Sequence, residues 1–333
     1  IFAVEPNEFA AVPGAPFAYW VSDKIRRTFF QVPSFENDVR TARQGLATAS
    51  DFRFIRTWWE CAEANESKKW FGFAKGGSFS RYYADIHLMA NWENEGAEDK
   101  AYIVKQYPYL NGNAEFVAKN PNYYFRRGLT WPRRTTSGFG IRVLPAKCIF
   151  ADKGPAAFVA EDLPDSLLAL LATMTSAPFR YLVDLQMAAA DAAARSYEVG
   201  VIQRTPIPVL SDAPEKALAQ LSHRAWSLKR TLDTVNETSH AFSLPVAIRD
   251  RIGEYQPAAI DAELAKIQQQ IDDIVFELHG LDGEDRRDLE LWANKGTTNS
   301  AEAEAENEAD ADADDSEAVI DQQDSLLSWC VGV

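Results

Sequence analysis

Six basic residues, Arg126, Arg127, Arg133, Arg134, Arg142 and Lys147, fall within 22 positions in which every other residue is neutral. Trp131 and Phe139 lie among them, and Tyr123, Tyr124 and Phe125 stand just before. Thr135, Thr136 and Ser137 add hydroxyl donors. Guanidinium forks among neutral polar and aromatic side chains suit phosphate oxygens and base edges. Successive side chains of an extended chain point to opposite faces, so at most one of Arg133 and Arg134 can face bases. The expected nucleic-acid contacts are Arg133 or Arg134 on base edges and Arg126, Arg127 and Lys75 on the backbone. Thr135, Thr136 and Trp131 stand beside them. The plainer reading of the same run is a charged hairpin on an ordinary surface.

Two other stretches look chemical. Asn120-Pro-Asn-Tyr123 approaches the Asn-Pro-Pro-Tyr that holds a flipped adenine for methylation. Asn122 replaces the second proline and no buried strand precedes, so a turn is expected. Gly138-Phe-Gly140 lacks the strand, third glycine and downstream acid of a cofactor-binding loop, and a hairpin turn is expected. No phosphate-binding loop, serine nucleophile elbow or His-Glu-x-x-His occurs. The adjacent acids Asp272 and Asp273 are expected on an exposed helix face. Cys61, Cys148 and Cys330 lie far apart and only four histidines exist, so neither a metal site nor a disulfide framework is expected. That usage points to a reducing, cytoplasmic compartment.

The net charge of −15 is unevenly spread: residues 1–150 carry +5, 151–300 carry −9 and 301–333 carry −11. Such asymmetry can hide a local polyanion-binding face. A length of 333 residues suggests about two domains. The longest apolar stretch, 166–194, is broken by Pro178, Arg180, Asp184 and Asp191, too often for a bilayer span, and no membrane partner is expected.

The elements that must position these residues are read from periodicity. A helix is expected within Pro16–Phe30, with Trp20, Ile25 and Phe29 on one face. Short strands are expected at Asp51–Trp59, Tyr102–Gln106, Ile141–Leu144 and Cys148–Phe150, separated by Gly, Pro and Asn turns. A helix begins near Leu163, with Asp165 or Ser166 as cap. Leu218, Leu221, Ala225, Leu228, Leu232 and Val235, and again Ile260, Leu264, Ile267, Ile271, Ile274 and Leu278, repeat every three or four positions. Each series is an apolar seam on a long helix. Pro214 suits a first turn and Gly280 a C-terminal stop. The two helices suit an antiparallel pair, either a spacer or dimerisation arm or a helical subdomain packed on the neighbouring sheet. Residues 296–316, mostly Gly, Thr, Ser, Ala, Glu and Asp, cannot offset chain entropy by burial.

The expected fold class is α+β. Residues 1–42 form a connector, 43–210 a sheet-rich recognition domain, 211–295 a helical spacer and 296–324 an acidic disordered linker. Residues 325–333, with the apolar run ending at Val333, read as the start of a further element. With Ile1 as first residue, both ends read as truncated.

Several stretches taken in order carry a resemblance: Gln44–Phe54, Arg56–Glu60, Trp70–Gly77, Asn91-Trp92, Phe125–Trp131, Pro145–Phe150, Ile271–Leu281 and Leu326–Val333. Together they resemble the target-recognition half of large adenine-N6 DNA methyltransferases, found in type IIG restriction–modification enzymes and in the BREX and DISARM phage-defence systems. The resemblance implies a parent enzyme that uses S-adenosylmethionine on double-stranded DNA, with the methyltransferase domain in the same polypeptide and possible defence-system partners. It implies no catalytic or cofactor-binding residue in this chain, since the family's cofactor loop and catalytic loop are expected upstream. Other classes that suit the residues are an RNA-binding or RNA-modifying module and a non-catalytic scaffold in a defence complex.

Overall fold

The computed structural model describes residues 12–14, 21–61, 69–187, 195–253 and 255–289. The acidic segment 296–324, the run 325–333 and Trp20 lie outside them, as do the expectations made there. The fold is mixed α and β, as the sequence suggested. Helix α1 (Asp23–Gln31) precedes β1 (Arg40–Arg43), a single turn α2 (Asp51–Phe54), β2 (Ile55–Thr57), β3 (Trp70–Ala74) and β4 (Leu88–Asn91). Helix α3 (Ala97–Gln106) leads to β5 (Gly128–Thr130), β6 (Arg134–Thr135), β7 (Arg142–Leu144), β8 (Cys148–Phe150) and β9 (Ala156–Val159). Then come α4 (Pro164–Thr175), α5 (Ala177–Gln186), β10 (Arg195–Ser196), α6 (Val199–Arg204), α7 (Asp212–Leu232), α8 (Val246–Ile252) and α9 (Pro257–Leu278).

Two sheets and a helical layer stack in that order. One sheet runs β2-β4-β3-β8, with β3 parallel to β8. The other runs β1-β9-β5-β7 and is antiparallel. Strand β9 shows why the layers form. Ala156 and Phe158 point to one face and pack with Phe73, Ala90, Ile149 and Phe150 of the first sheet. Ala157 points to the other and joins Leu129, Leu171, Leu218 and Ile271 against the helices. A strand with both faces buried belongs in the middle of a domain. Each fully buried Leu, Ile or Phe here contributes about 1.5–3 kcal/mol.

Both long helices formed, but α7 ends at Leu232, so Val235 falls beyond it in a short 3-10 turn. Arg224 of α7 forks onto Glu263 of α9 at 2.7 and 2.9 Å, and Tyr255 donates to the Leu232 carbonyl at 3.1 Å. Those two contacts make the helices antiparallel. Gly280 sits at φ +64°, and the Gly280 and Leu281 N–H groups donate to Glu277 and Phe276 carbonyls at 2.9 and 3.1 Å, closing α9. Leu218, Ala225, Leu228, Ile267 and Ile271 share one core with the antiparallel sheet. This is the packing expected of a helical subdomain on its neighbouring sheet. Asp273 is exposed, but Asp272 turns inward to accept from the Ala177 N–H at 2.8 Å and from Gln268 at 2.9 Å.

Several local expectations are corrected. Tyr102–Gln106 belongs to helix α3: Gly96 starts it in the left-handed region, Glu98 and Asp99 occupy its first turn, and it buries Ile103. Only Ile55–Thr57 of the 51–59 stretch pairs as strand, because Asp51 first turns helically. Helix α1 is formed from Asp23, capped by Ser22, whose oxygen accepts from the Ile25 N–H at 3.2 Å. Helix α4 starts with Pro164 in its first turn, not at an Asp165 or Ser166 cap; the Ser166 hydroxyl donates to Glu215 at 2.6 Å. Among the described residues no single helix is long and apolar enough to cross a membrane. The described part of the apolar stretch, residues 166–187, lies in α4 and α5, which are bent by 63° and mostly buried.

Candidate nucleic-acid interface

Parallel strands β3 and β8 end side by side, so the loops that follow leave from the same end. Ala151 N–H donates to the Ala74 carbonyl at 3.0 Å, fixing the two ends together. A third segment, 131–135, joins them through Trp131 N–H to Pro155 (3.3 Å) and Arg133 N–H to Lys153 (2.8 Å). A Cβ on Gly154 would lie 2.5 Å from the Ala74 carbonyl oxygen, and one on Gly76, at φ +115°, 2.9 Å from that of Lys153. Glycine is required at both. Arg142, buried, donates to the Ser78 carbonyl at 2.7 Å and to that of Gly76. The resulting rim carries Lys75, Lys153, Arg133 and Arg134.

The basic run does not act as one patch. Strand β5 separates it: Arg126 and Arg127 precede the strand, and Arg133 and Arg134 follow it. Arg126 grips Asp162, with Nε 3.1 Å from each oxygen and Nη2 2.6 Å from one, and donates to the Val159 carbonyl at 2.9 Å. Its guanidinium also lies 5.2 Å from the Tyr123 ring and 5.3 Å from that of Phe158, and Asp162 raises its pKa above the usual arginine value. It braces the loop after β9. Arg127 is exposed.

At the other end, Arg133 and Arg134 differ in exposure. Arg133 is 20% exposed and lies 3.5 Å from Asp152 and 3.8 Å from Glu198. Arg134 is exposed on β6, with no side-chain partner among the described residues. Thr135 pairs with Arg195, and its hydroxyl accepts from the Ser137 N–H at 3.1 Å; Thr136 is exposed. Lys75 is ion-paired with Asp51. Trp131 is fully buried and donates from Nε1 to the Tyr197 carbonyl at 2.8 Å. It belongs to the core, which corrects its placement as a surface aromatic.

Of the two motif-like loops, Gly138–Gly140 buries Phe139 in the core, whereas Asn120–Tyr123 leaves Pro121 and Asn122 exposed. Phe139 is not at a hairpin tip: β6 pairs with β10 and β7 with β5. Its ring lies 5.9 Å from Trp131 and Phe179 and 5.2 Å from Tyr197. Asn120–Tyr123 is a turn, as expected. The Asn120 amide donates to the Gln44 carbonyl at 2.8 Å, and Tyr124 is buried against Trp92 and Phe150.

Sequence reasoning missed the acids of the rim. Asp51, Thr48, Asp152 and Lys153 line a cleft of about 330 Å³ with Lys75 and Leu46. A signal was available. Each of the two strands is followed by a Lys-Gly pair, Lys75-Gly76 directly after β3 and Lys153-Gly154 a few residues past β8. Just behind the cleft Asp99 is buried with neither oxygen in hydrogen-bonding geometry. Burial pushes its carboxyl up to about 7, against a weaker opposing pull from the Ala49 N–H.

Similarity to known proteins agrees with the family that the motifs resemble. No protein-family model matches the chain. It is 24% identical over 287 residues to the adenine-specific methyltransferase PglX of Lacticaseibacillus casei (strain Zhang), covering 82% of this chain and 22% of that protein. It is 25% identical over 304 residues to the adenine-specific methyltransferase BrxX of Escherichia coli O9:H4 (strain HS), covering 86% and 23%. Its relatives are adenine-specific methyltransferases. The chain spans less than a quarter of their length. Among solved structures it is similar to the type IIL restriction–modification enzyme MmeI in complex with DNA, at TM-score 0.46 and 14% identity over 80% of this chain and 37% of that one. It is also similar to the type IIG restriction endonuclease BpuSI, at TM-score 0.38 and 13% identity over 77% and 33%.

Proposed function

We propose that this chain is the DNA-recognition part of a site-specific adenine-N6 DNA methyltransferase of a restriction–modification or phage-defence system. The observation that carries the reading is the similarity of more than four-fifths of the chain to two adenine-specific methyltransferases. Of the two loops that approach a cofactor or target-base motif, Gly138–Gly140 buries Phe139 in the core and Asn120–Tyr123 is a turn with Pro121 and Asn122 exposed. S-adenosylmethionine and the transfer step then belong to a catalytic domain in the same polypeptide. That domain would flip the adenine while this chain grips the duplex.

The rim supports the gripping role. Arg134, Thr136 and Lys153 are exposed at one end of the sheets, and Arg133 is turned inward to hold Asp152. The exposed cations supply phosphate contacts and the cleft beside them supplies base contacts. The test is binding of the chain to duplex DNA and to RNA of the same sequence at several salt concentrations. Preferential duplex binding whose affinity falls linearly with log salt is expected. Equal or tighter RNA binding, or no binding, would refute the reading. In a methyl-transfer assay the chain alone should incorporate no label.

A further inference from the structure

The rim cleft holds Asp51 and Lys75 as an ion pair, with Asp152 and Lys153 also in its lining. Asp51 accepts from the Thr48 hydroxyl and from Lys75 Nζ. The side chains are 42% and 22% exposed, so the pair is anchored yet open. A carboxylate has about four acceptor positions and an ammonium three protons, and these contacts use only some of each. The frame is rigid. Leu46 N–H donates to Phe150 (2.9 Å), Asp152 N–H to Leu46 (3.0 Å) and Ala47 N–H to Val117 (3.0 Å), clamping the Asp51 loop to the end of β8. A Cβ on Gly45 would fall 1.9 Å from the Phe150 carbonyl oxygen, so that contact admits glycine alone. Phe52, next to Asp51 in sequence, is 91% exposed.

A donor fixed beside an acceptor matches only some base edges. In the major groove guanine offers two adjacent acceptors, N7 and O6, and its cytosine partner offers the N4 amino donor next to them. An amine beside a carboxylate meets that order directly. In an A·T pair the donor lies between two acceptors, and the thymine methyl occupies the edge that the cytosine C5–H leaves open. A lysine over adenine N7 would then crowd the N6 amino protons.

We propose that Asp51 and Lys75 read one G·C base pair of the target duplex. Lys75 donates to guanine O6 or N7, and Asp51 accepts from the cytosine amino group. Thr48 positions the carboxylate. The proposal rests on the DNA-recognition reading. Its test is selection of bound sequences from a random duplex library by the full 333-residue chain, compared with Asp51→Asn, Lys75→Gln and Lys75→Arg.

The unaltered chain should enrich a site with one invariant G·C position. Lys75→Gln should weaken preference there by about 5- to 150-fold, the value of one good base contact, and leave the other positions unchanged. Lys75→Arg should keep guanine, and Asp51→Asn should move the position towards adenine, which an amide reads. Circular dichroism identifies any variant that fails to fold, and the charge-conserving Lys75→Arg then carries the test through guanine retention. Unchanged selection by all folded variants would overturn the proposal and leave DNA recognition standing. So would a Lys75→Gln loss equal for every sequence with a salt slope lowered by about 1, the mark of a phosphate contact. If the unaltered chain enriches no sequence, the recognition reading itself fails.

Discussion

The helical layer and the loop rim follow different rules. On α7 and α9 the environment of each apolar residue follows from neighbours three and four positions away. Among the strands and loops it is decided by residues remote in sequence: 24 positions for Lys75 and Asp51, 36 for Arg126 and Asp162, 66 for Trp131 and Tyr197. Periodicity therefore determines where a helix buries itself. It says nothing about whether a basic or aromatic residue faces solvent or its own protein.

The largest expected effect breaks the helical side. Ile267 is buried in the seam of α9. Ile267→Asp places an unpaired carboxylate there, which costs more than about 4 kcal/mol. Gln270 on the same helix is exposed, and Gln270→Ala should change stability by less than about 0.5 kcal/mol. Urea unfolding of both variants measures the contrast. Equal losses would show that the seam is misplaced.

Trp131 tests whether the two regions are divided by sequence or by packing. It stands in the basic run, yet it is fully buried with its indole N–H satisfied. Trp131→Ala should cost about 3–5 kcal/mol and lower the melting temperature as a core change does. A variant of undiminished stability with selectively lost DNA binding would return Trp131 to the interface.

The same contrast marks how far the sequence could be read. The α7 and α9 seams, the Gly280 stop, and strands at 142–144 and 148–150 were legible because turn and period signals are local. Tyr102–Gln106 was not: Tyr, Ile and Val favour strands, but Gly96 and the acids of the first turn start a helix through them. The basic run was half legible. The difference in exposure between Arg133 and Arg134 follows from an extended backbone. That Arg126 is a brace depends on Asp162, beyond the intervening strands, and the composition of a brace equals that of a binding patch. Asp51 and Asp152 went unnoticed because an acid argues against a polyanion until a cleft places it beside a lysine.

A smaller effect links the regions through pH. Asp99, behind the cleft, has its carboxyl raised from 3.8 to about 7 in the folded chain. Between these values the folded state keeps a proton that the unfolded state has lost, so stability falls as pH rises from about 4 to about 7. The penalty is absent below that window and complete above it, at a few kcal/mol from about 1.4 kcal/mol per pKa unit. Asp99→Asn removes it. Relative to the unaltered chain, the variant should be more stable at pH 8 than at pH 4 by that amount. Melting at the two pH values checks this, and a pH-independent difference would refute it. Any cost of an unsatisfied amide appears at both values and cancels from the comparison.

The smallest expected change in stability belongs to Arg134. It is exposed on a two-residue strand, whereas Arg133 holds Asp152 and Arg126 holds Asp162. Arg134→Ala should leave unfolding within about 0.5 kcal/mol of the unaltered chain while weakening duplex binding. A phosphate contact predicts a salt slope lower by about 1 and equal losses on all sequences; a base contact predicts about 1–3 kcal/mol lost at one position only. Arg126→Ala should do the opposite. It removes a bidentate ion pair and the packing of its guanidinium on Tyr123 and Phe158, so it should cost about 1–3 kcal/mol in stability. The salt slope of the folded variant should be retained. Parallel binding and unfolding measurements on the two variants would place the working surface at one end of β5. A salt slope lowered by Arg126→Ala and untouched by Arg134→Ala would move that surface to the opposite end of the strand, beside the exposed Arg127.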